Sequence, residues 1–307
     1  PITFVASANC GLYCGAKVDF VDIDPETYNL CAKALKKKLI HAKKIGKLPK
    51  ILIPVHLAGQ SCDMNEIYAL SKEYNFKIIE DASHAIGGKY LNKPVGSCRY
   101  SDITVFSFHP VKIITTGEGG MALTNNKEIF EKMSLLRSHG ITRNPKKMTH
   151  NPDGDWYYQQ IELGLNYRMT DIQAALGASQ IERLDMFIAR RHVLAERYNE
   201  LLKNLPLTIP FQNSDNYSSF HLYIIRLKDS KKHKQTFEYL RKENIGVNLH
   251  YIPVHKHPYY CDMDTDYKDL EQSELYYMDA ISIPLYPAMT NLEQDFVIST
   301  LKKALQI

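Results

Sequence analysis

Short apolar runs with the character of β-strands alternate with helical segments over the first half of this chain. The strand-like runs cover residues 50–56, 77–80, 102–107 and 121–124, and the helical patterns between and after them cover 63–74 and 127–137. Strands that alternate with helices form a largely parallel sheet with helices on both faces, because each helix lies against the sheet between two strands. The sequence therefore predicts an α/β fold.

The pattern changes at residue 170, where apolar residues begin to recur at helical spacing. Thr170 or Asp171 can cap the start of this segment and Pro206 marks its end, so we expect one long connecting helix, straight or bent. Beyond it the sequence predicts a small α+β unit with strands at 220–227 and 245–252 and helices at 231–243, at 270–280 and from residue 291.

The length of the chain suits two domains rather than one. A chain of 307 residues corresponds to about two domains of ordinary size. We expect a large domain over residues 1–190 and a smaller C-terminal domain over residues 191–307. Residues 141–163 are polar and contain two prolines, so they predict an irregular excursion from the large domain.

Three further expectations concern the first forty residues. Residues 3–14 are small and apolar and predict a buried helix, in which Cys10 and Cys14 lie in the interior. Residues 17–21 predict a short strand. Asn29 can cap a lysine-rich helix, and the inward face of that helix is expected to carry Leu35, Leu39 and Ile40.

Composition narrows the classes of function. A net charge of +4 is too small to indicate nucleic-acid binding, and no zinc-finger or RNA-binding signature is present. No apolar run is long enough to cross a membrane. The six cysteines contain no CxxC pair, which fits a reducing cytosol and predicts a cytoplasmic protein. The histidines lack a metal-ligand spacing such as HExxH, so we expect no metal site.

Lys112 occupies an irregular segment between two strand-like runs that are both expected to be buried. The first run ends before Pro110, which has no amide hydrogen to give to a sheet, and the turn at Gly119 and Gly120 leads into the second. Burial of this loop would lower the pKa of the lysine and make its amine a nucleophile. The alternative is an ordinary surface lysine, and the stretch alone leaves both interpretations open.

A pair of carboxylates stands at the end of another strand. Residues 77–79 lead into Glu80 and Asp81, and ligands of open α/β sheets bind outside the carboxyl ends of the strands. Pyridoxal phosphate (PLP) needs a lysine for covalent attachment and an acid that pairs with its ring nitrogen. Lys112 and Asp81 provide those two groups, although Asp81 can also be an ordinary helix cap.

Matches to one known family run through the chain in order. They lie at residues 3–9, 21–25, 54–60, 80–81, 106–120, 137–140, 164–171 and 250–255. On these segments the chain resembles the sugar-nucleotide aminotransferases of the DegT/StrS type, which are PLP enzymes of fold type I. The stretch from Trp156 to Gly164 resembles members that serve pseudaminic acid biosynthesis.

The resemblance implies a reaction and its rivals. An amino acid, expected to be L-glutamate, would give its amino group to C4 of a UDP-linked 4-keto-6-deoxy-N-acetyl sugar, in a homodimer with shared active sites. One rival is a PLP-dependent sugar dehydratase of the same fold, in which a histidine replaces the lysine, so Lys112 favours transamination. The other is a non-catalytic sugar-nucleotide binder. The family's cradle for the PLP phosphate is expected to precede residue 1.

The resemblance also implies the cofactor-binding residues. Lys112 would bind PLP covalently and then carry the proton during transamination, and Asp81 would pair with the ring nitrogen. The other positions are His84 near the PLP 3-oxygen, Ser107 at the phosphate, Phe4 stacked on the ring, and Asn166 reaching the phosphate of the partner subunit. Each of these four has an ordinary structural alternative, such as a core histidine or a turn asparagine.

A second set of positions matches the family segments around the sugar-nucleotide pocket. Aromatic and basic groups of this kind suit a uracil ring and a diphosphate, although several could be structural. The expected substrate-binding residues are His139, Tyr167, Arg168, His250, Tyr251 and His255.

Overall fold

The computed structural model describes residues 1–261 and 269–306. Its helices are α1 (Ala6–Tyr13), α2 (Ala32–Lys44), α3 (Met64–Tyr74), α4 (Lys127–Leu136), α5 (Asp171–Ile181), α6 (Leu184–Leu202), α7 (His233–Lys242), α8 (Pro258–Cys261), α9 (Glu271–Asp279) and α10 (Asn291–Leu305). Its strands are β1 (Ile51–Leu52), β2 (Lys77–Asp81), β3 (Lys89–Tyr90), β4 (Lys93–Pro94), β5 (Ile103–Ser107), β6 (Gly120–Leu123), β7 (Ile141–Thr142), β8 (Gln159–Gln160), β9 (Leu207–Thr208), β10 (Asn216–Tyr217), β11 (Tyr223–Leu227) and β12 (Ala280–Ile283).

The predicted α/β sheet is present, with strand order β1-β2-β5-β6. β2 pairs in parallel with both β1 and β5, and Asp81 lies opposite Val105 on β5. β6 runs antiparallel to β5, because the loop from 108 to 119 returns the chain directly instead of through a crossover helix. β1 is shorter than the expected strand over residues 50–56.

Local capping residues explain where several helices begin. Asp63 accepts from the amide of Glu66 at the start of α3, and Thr170 forms a capping box with Gln173 at the start of α5, both at predicted positions. The expected cap of α2 is wrong, since that helix begins after Cys31 without a side-chain cap. Asn29 is buried and instead bonds the carbonyl of Gln60 and the amide of Leu57.

The first forty residues depart from expectation in their burial. α1 forms within the predicted range, but it lies at the surface, with Ala8 as its buried residue and both Cys10 and Cys14 exposed. Residues 17–21 form no strand. Leu35 and Leu39 of α2 face the core as predicted, whereas Ile40 is exposed.

The C-terminal half has its own core. The predicted long helix is two helices, α5 and α6, separated at residues 182–183. β11 pairs antiparallel with β12 and β9, and one hydrophobic cluster draws all its buried members from residues 194–305. The expected strand over 245–252 is wrong: it is represented by a single bridge from Asn248 to Ser282, and β12 takes the place beside β11. The division between residues 190 and 191 stays a prediction, and it falls within α6.

Candidate active site

The carboxyl ends of β2 and β5 bring the main predicted residues to one edge of the sheet. Asp81 is the last residue of β2 and Ser107 is the last residue of β5. These two strands are parallel neighbours, so both ends open on the same side. Lys112 follows five residues after the end of β5, in the irregular segment that the sequence predicted.

Lys112 is half-buried, and its surroundings differ from those that the sequence predicted. The next two residues, Ile113 and Ile114, are buried in a cluster with Phe106, Phe108 and Ile188. β6 is mostly exposed, so the expectation of two buried flanking strands is wrong for the second strand. Burial lowers the pKa of the Lys112 amine, and the negative charge of Asp81 opposes that shift. The charged form of the amine is therefore less stable than it would be in water, as is expected of a nucleophilic lysine.

The carboxylate of Asp81 is held by two donors. The Ser7 hydroxyl donates to Oδ2 at 2.5 Å, and the backbone amide of Ser83 donates to Oδ1 at 3.0 Å. The Ser7 hydroxyl lies 3.0 Å from that of Thr3. Asp81 thus closes a turn after its strand. Residues 82–88 form no helix, so the alternative of a helix cap is wrong, and the carboxylate is held at the edge where Lys112 lies. The sequence did not single out Ser7, although it lies in a family-matching segment.

Three rings from distant parts of the chain line the same edge. His84 is buried, and its Nε2 lies 3.0 Å from the hydroxyl of Tyr251. The ring of Tyr251 lies 6.2 Å from that of Phe4, measured between centroids. Phe4 is 61% exposed, so it is not an ordinary core aromatic. The predicted cofactor-stacking residue is therefore free to pack against a bound molecule.

Three histidines interact electrostatically with Lys112: His84 and His221, which are buried, and His250, which is half-buried. Burial, together with the positive charge of Lys112, lowers the pKa of His250 to about 4, and that ring accepts or donates at 2.9 Å to the Ser282 hydroxyl. The pKa values of His84 and His221 lie well below the usual range, chiefly because both rings are buried and also because positively charged groups lie near them. All three imidazoles are therefore neutral at physiological pH.

His221 is a member of this group that sequence reasoning missed. Its ring lies 4.4 Å from that of His84, and its buried Nδ1 has no hydrogen-bond partner within the described parts of the chain. The Ser219 hydroxyl donates to the carbonyl of His84 at 2.7 Å, which ties this segment to the site. Nothing in the local sequence separates His221 from the other histidines, because its position depends on a contact between residues far apart in the chain.

Other predicted residues lie elsewhere. Four of them are exposed: His139, Asn166, Tyr167 and Arg168. Asn166 forms a β-bridge with Ser138, and its side chain accepts a hydrogen bond from the Arg168 guanidinium at 2.8 Å. His255 is buried beside Glu274, with 2.6 Å between Nε2 and Oε1. The Ser107 hydroxyl accepts from the amide of His109 at 3.4 Å. The structure therefore gathers Lys112, Asp81, His84, His250, Tyr251 and Phe4 at one edge, and the roles of all the predicted site residues stay predictions.

A model of the DegT/DnrJ/EryC1/StrS aminotransferase family matches residues 1–302 of this chain. The chain belongs to this family. The match covers nearly the whole sequence and includes every segment on which the resemblance was based. Family membership confirms the predicted enzyme class, an aminotransferase, and places Lys112 and Asp81 in a chain of the type that uses PLP.

Two enzymes of named activity align with nearly the whole of this chain. The UDP-4-amino-4,6-dideoxy-N-acetyl-beta-L-altrosamine transaminase of Campylobacter jejuni is 37% identical over 310 residues, covering 100% of this chain and 78% of that protein. The GDP-perosamine synthase of Caulobacter vibrioides is 37% identical over 308 residues, covering 99% and 77%.

A solved structure confirms the fold class. PseC of Helicobacter pylori, an aminotransferase involved in pseudoaminic acid biosynthesis, superimposes with a TM-score of 0.88 at 31% identity, covering 100% of this chain and 78% of that one. The predicted fold type I is thus confirmed for this member of the DegT/DnrJ/EryC1/StrS family.

Other kinds of site can be compared with the described residues of this aminotransferase. Over residues 1–261 and 269–306, no group of three or more His, Cys, Asp or Glu side chains is placed to hold a metal ion. In the same ranges, no helix is both long and apolar enough to cross a membrane.

Proposed function

We propose that this protein is a PLP-dependent aminotransferase that moves an amino group from an amino acid, L-glutamate, to C4 of a UDP-linked 4-keto-6-deoxy-N-acetyl sugar. The observation that carries the proposal is the pairing of a half-buried Lys112, whose pKa is lowered by burial, with a carboxylate at Asp81 that is held by Ser7 and Ser83. A nucleophilic lysine beside a fixed carboxylate is the combination that PLP chemistry requires.

The residues at the sheet edge fit PLP. Asp81 offers a carboxylate for the ring nitrogen, Phe4 offers an exposed aromatic face, and Ser107 offers a hydroxyl at the end of β5. The unpartnered nitrogen of His221 also indicates space for a polar ligand. Bound PLP would supply an electron sink and an aldehyde carbon through which an amino group passes. Lys112 would hold the cofactor and then move a proton at its Nζ.

The sugar nucleotide is proposed from the relatives and from the chain's own segment. The relatives named above as a UDP-sugar transaminase and as PseC support a UDP-linked 4-keto sugar. Trp156 and Tyr158 are exposed in the segment that resembles members of pseudaminic acid biosynthesis. The equally similar GDP-perosamine synthase makes a GDP-linked sugar the outcome to test against.

A homodimer is part of the proposal, and α5 supports it. This 11-residue helix has no buried residue, and Ile172 on its face is 85% exposed. Leu163 and Tyr167, which precede it, are 90% and 74% exposed. An apolar surface of this kind is typical of a protein interface. The predicted cross-subunit residue, Asn166, lies within the same segment. The cytoplasmic location of the protein also remains a prediction.

The function is tested by attachment of the cofactor. Reduction with borohydride in the presence of PLP should leave a stable label on Lys112 of the purified protein, detected by peptide mass spectrometry. Lys112→Ala should lose the label. A label that persists in this variant, or that maps to Lys89 or Lys93, would show that another lysine holds the cofactor.

The substrate is tested with the same preparation. L-Glutamate and either a UDP-linked or a GDP-linked 4-keto-6-deoxy sugar are supplied, and release of 2-oxoglutarate is followed. We expect turnover with the UDP-linked N-acetyl sugar and at least about 100-fold lower kcat/KM with the GDP-linked sugar, since a nucleobase contact is worth roughly 3 kcal/mol. The reverse preference would overturn the proposed nucleotide while leaving the aminotransferase class intact.

A further inference from the structure

The direction of the hydrogen bonds at His84 can be worked out from its two partners. The ring is neutral, because burial and nearby positive charges hold its pKa well below the usual range. A neutral imidazole has one nitrogen that donates and one that accepts. The backbone amide of Ala58, which can only donate, contacts Nδ1 at 3.4 Å. Nδ1 is therefore the acceptor, and the hydrogen of His84 is on Nε2.

The same reasoning continues to Tyr251. Nε2 of His84 lies 3.0 Å from the hydroxyl oxygen of Tyr251. Since Nε2 carries the hydrogen, His84 donates and Tyr251 accepts. Burial, with a further contribution from the negative charge of Asp81, raises the pKa of the phenol, so Tyr251 keeps its own proton. Within the described parts of the chain, His84 is the one residue that shares a hydrogen bond with this hydroxyl.

The hydroxyl proton of Tyr251 thus needs an acceptor that the described protein does not supply. The groups that face this side chain are Phe4, whose ring is 6.2 Å away, the imidazole of His250 at 5.0 Å, and the carboxylate of Asp81, which interacts with it electrostatically. Within the described parts of the chain, no hydrogen bond joins the hydroxyl to either oxygen of Asp81, which accept from Ser7 and Ser83. Asp81 and His250 also interact with the charge of Lys112, so a molecule bound beside Lys112 is placed to supply the acceptor.

We propose that the Tyr251 hydroxyl donates a hydrogen bond to an acceptor oxygen of the molecule bound beside Lys112, and that His84 is a positioning residue that fixes the direction of that bond. This inference rests on the proposed function. The acceptor oxygen has two sources, the ring oxygen of PLP and the keto oxygen of the sugar. His84 then acts through Tyr251, instead of contacting the cofactor directly as the resemblance implies.

Tyr251→Phe tests the donor, with Tyr286→Phe as the matched control at an exposed tyrosine that donates to Glu293. If the acceptor is the sugar oxygen, KM for the keto sugar rises about 3- to 10-fold, the effect of one hydrogen bond, and the cofactor absorbance is unchanged. If the acceptor is the PLP oxygen, the pH midpoint of the cofactor absorbance shifts while KM for the sugar is retained. Unchanged KM and unchanged midpoint overturn the inference.

The role of His84 is tested by two replacements of different reach. The amide nitrogen of glutamine occupies a position close to Nε2 of histidine, so His84→Gln keeps a donor for Tyr251. Asparagine is one carbon shorter, so His84→Asn does not reach. We expect His84→Gln to retain the wild-type KM or midpoint and His84→Asn to reproduce the change seen in Tyr251→Phe. Equal behaviour of the two variants would overturn the positioning role.

These results separate the inference from the proposed function. Each variant is first reduced with borohydride and PLP, and the label on Lys112 is measured. A wild-type protein without the label contradicts the proposed function. A labelled Tyr251→Phe protein with wild-type KM and midpoint contradicts only the inference about Tyr251.

Discussion

At the scale of single residues, the site is defined by how few charges it contains. Lys112 and Asp81 are the charged pair, and the imidazoles of His84, His221 and His250 around the lysine are neutral because they are buried. Burial lowers the pKa of the Lys112 amine, and the negative charge of Asp81 opposes that shift. A carboxylate held by two donors supplies the one fixed negative charge.

The charge of Asp81 should matter more than its shape. Asp81→Asn keeps an acceptor oxygen for Ser7 or Ser83 but removes the negative charge that would favour a protonated ring nitrogen. We expect PLP to remain bound and kcat to fall on the order of 100-fold or more. Absorbance reports the bound cofactor, and steady-state kinetics report the rate. Ser7→Ala, which removes one donor and keeps the charge, is the control and should lose about tenfold. Near-normal turnover in Asp81→Asn would contradict this role.

The buried histidines predict how stability depends on pH. His250 has a pKa of about 4 in the folded protein and about 6.5 when unfolded. The unfolded state therefore binds more protons between these values, so the free energy of unfolding falls as pH drops from 6.5 towards 4. At pH 5 the loss from this one group should be about 2 kcal/mol relative to pH 7.5. His84 and His221 act in the same direction.

Urea denaturation at pH 7.5 and pH 5 measures this loss, with His250→Gln as the comparison. Carboxylates titrate equally in both proteins, so the difference between their pH dependences isolates His250. The variant should lose about 2 kcal/mol less than the wild type. Parallel loss in the two proteins would show that His250 is not held neutral by the fold.

At the scale of helices and strands, the sequence predicted the features that depend only on residues close together in the chain. Asp63 and Thr170 cap their helices at the predicted places because an N-cap needs only the amides that follow it. Asn29 has the same chemistry but bonds Gln60 and Leu57, and only the folded chain brings those groups to it. The strand expected at 245–252 is reduced to one bridge, between Asn248 and Ser282 of β12, and that pairing also depends on a residue far along the chain.

The residues of the candidate site also divide into those that could be predicted from nearby sequence and those that could not. Lys112 and Asp81 could be predicted because each follows a strand, and parallel strands end on one side of a sheet. Ser7 and His221 could not, because their contacts with Asp81 and His84 cross 74 residues in the first case and more than a hundred in the second. The burial of Lys112 was expected from two buried flanking strands, whereas β6 is mostly exposed and the residues buried next to the lysine in sequence are Ile113 and Ile114.

Helix α6 holds the segment next to the site through one buried arginine. Nη1 of Arg191 contacts the carbonyls of Phe220, His221 and Leu285 at 2.9–3.3 Å. Arg191→Met should leave these carbonyls without their donor and lower the free energy of unfolding by about 3 kcal/mol or more. Arg183→Met, at an exposed position before the same helix, should cost less than about 1 kcal/mol. Urea denaturation of both variants makes the comparison, and equal losses would contradict the anchoring role.

At the scale of the whole molecule, the predicted residues fall into two groups. One group gathers at the ends of β2 and β5 around Lys112. The other, with Asn166, Tyr167 and Arg168, lies on an exposed segment that continues into the apolar face of α5. A homodimer in which this segment reaches the partner's site would unite the two groups and would cover the exposed Ile172 and Leu176 at the same time.

Mixing two inactive variants tests whether the sites are shared between subunits. Asn166→Ala should disable the partner's site and Lys112→Ala its own, so each homodimer is inactive. In a mixed dimer, one site combines the intact Lys112 of one subunit with the intact Asn166 of the other. Random exchange makes half of the dimers mixed, each with one working site, so activity should recover to about a quarter of the wild-type value.

Differently tagged subunits, copurified through both tags, establish that exchange has occurred. Mixed dimers without activity would show that Asn166 serves the site of its own subunit. As the control, Asn166→Ala mixed with wild type should retain about half of the wild-type activity under either arrangement, because each intact pair contributes one site.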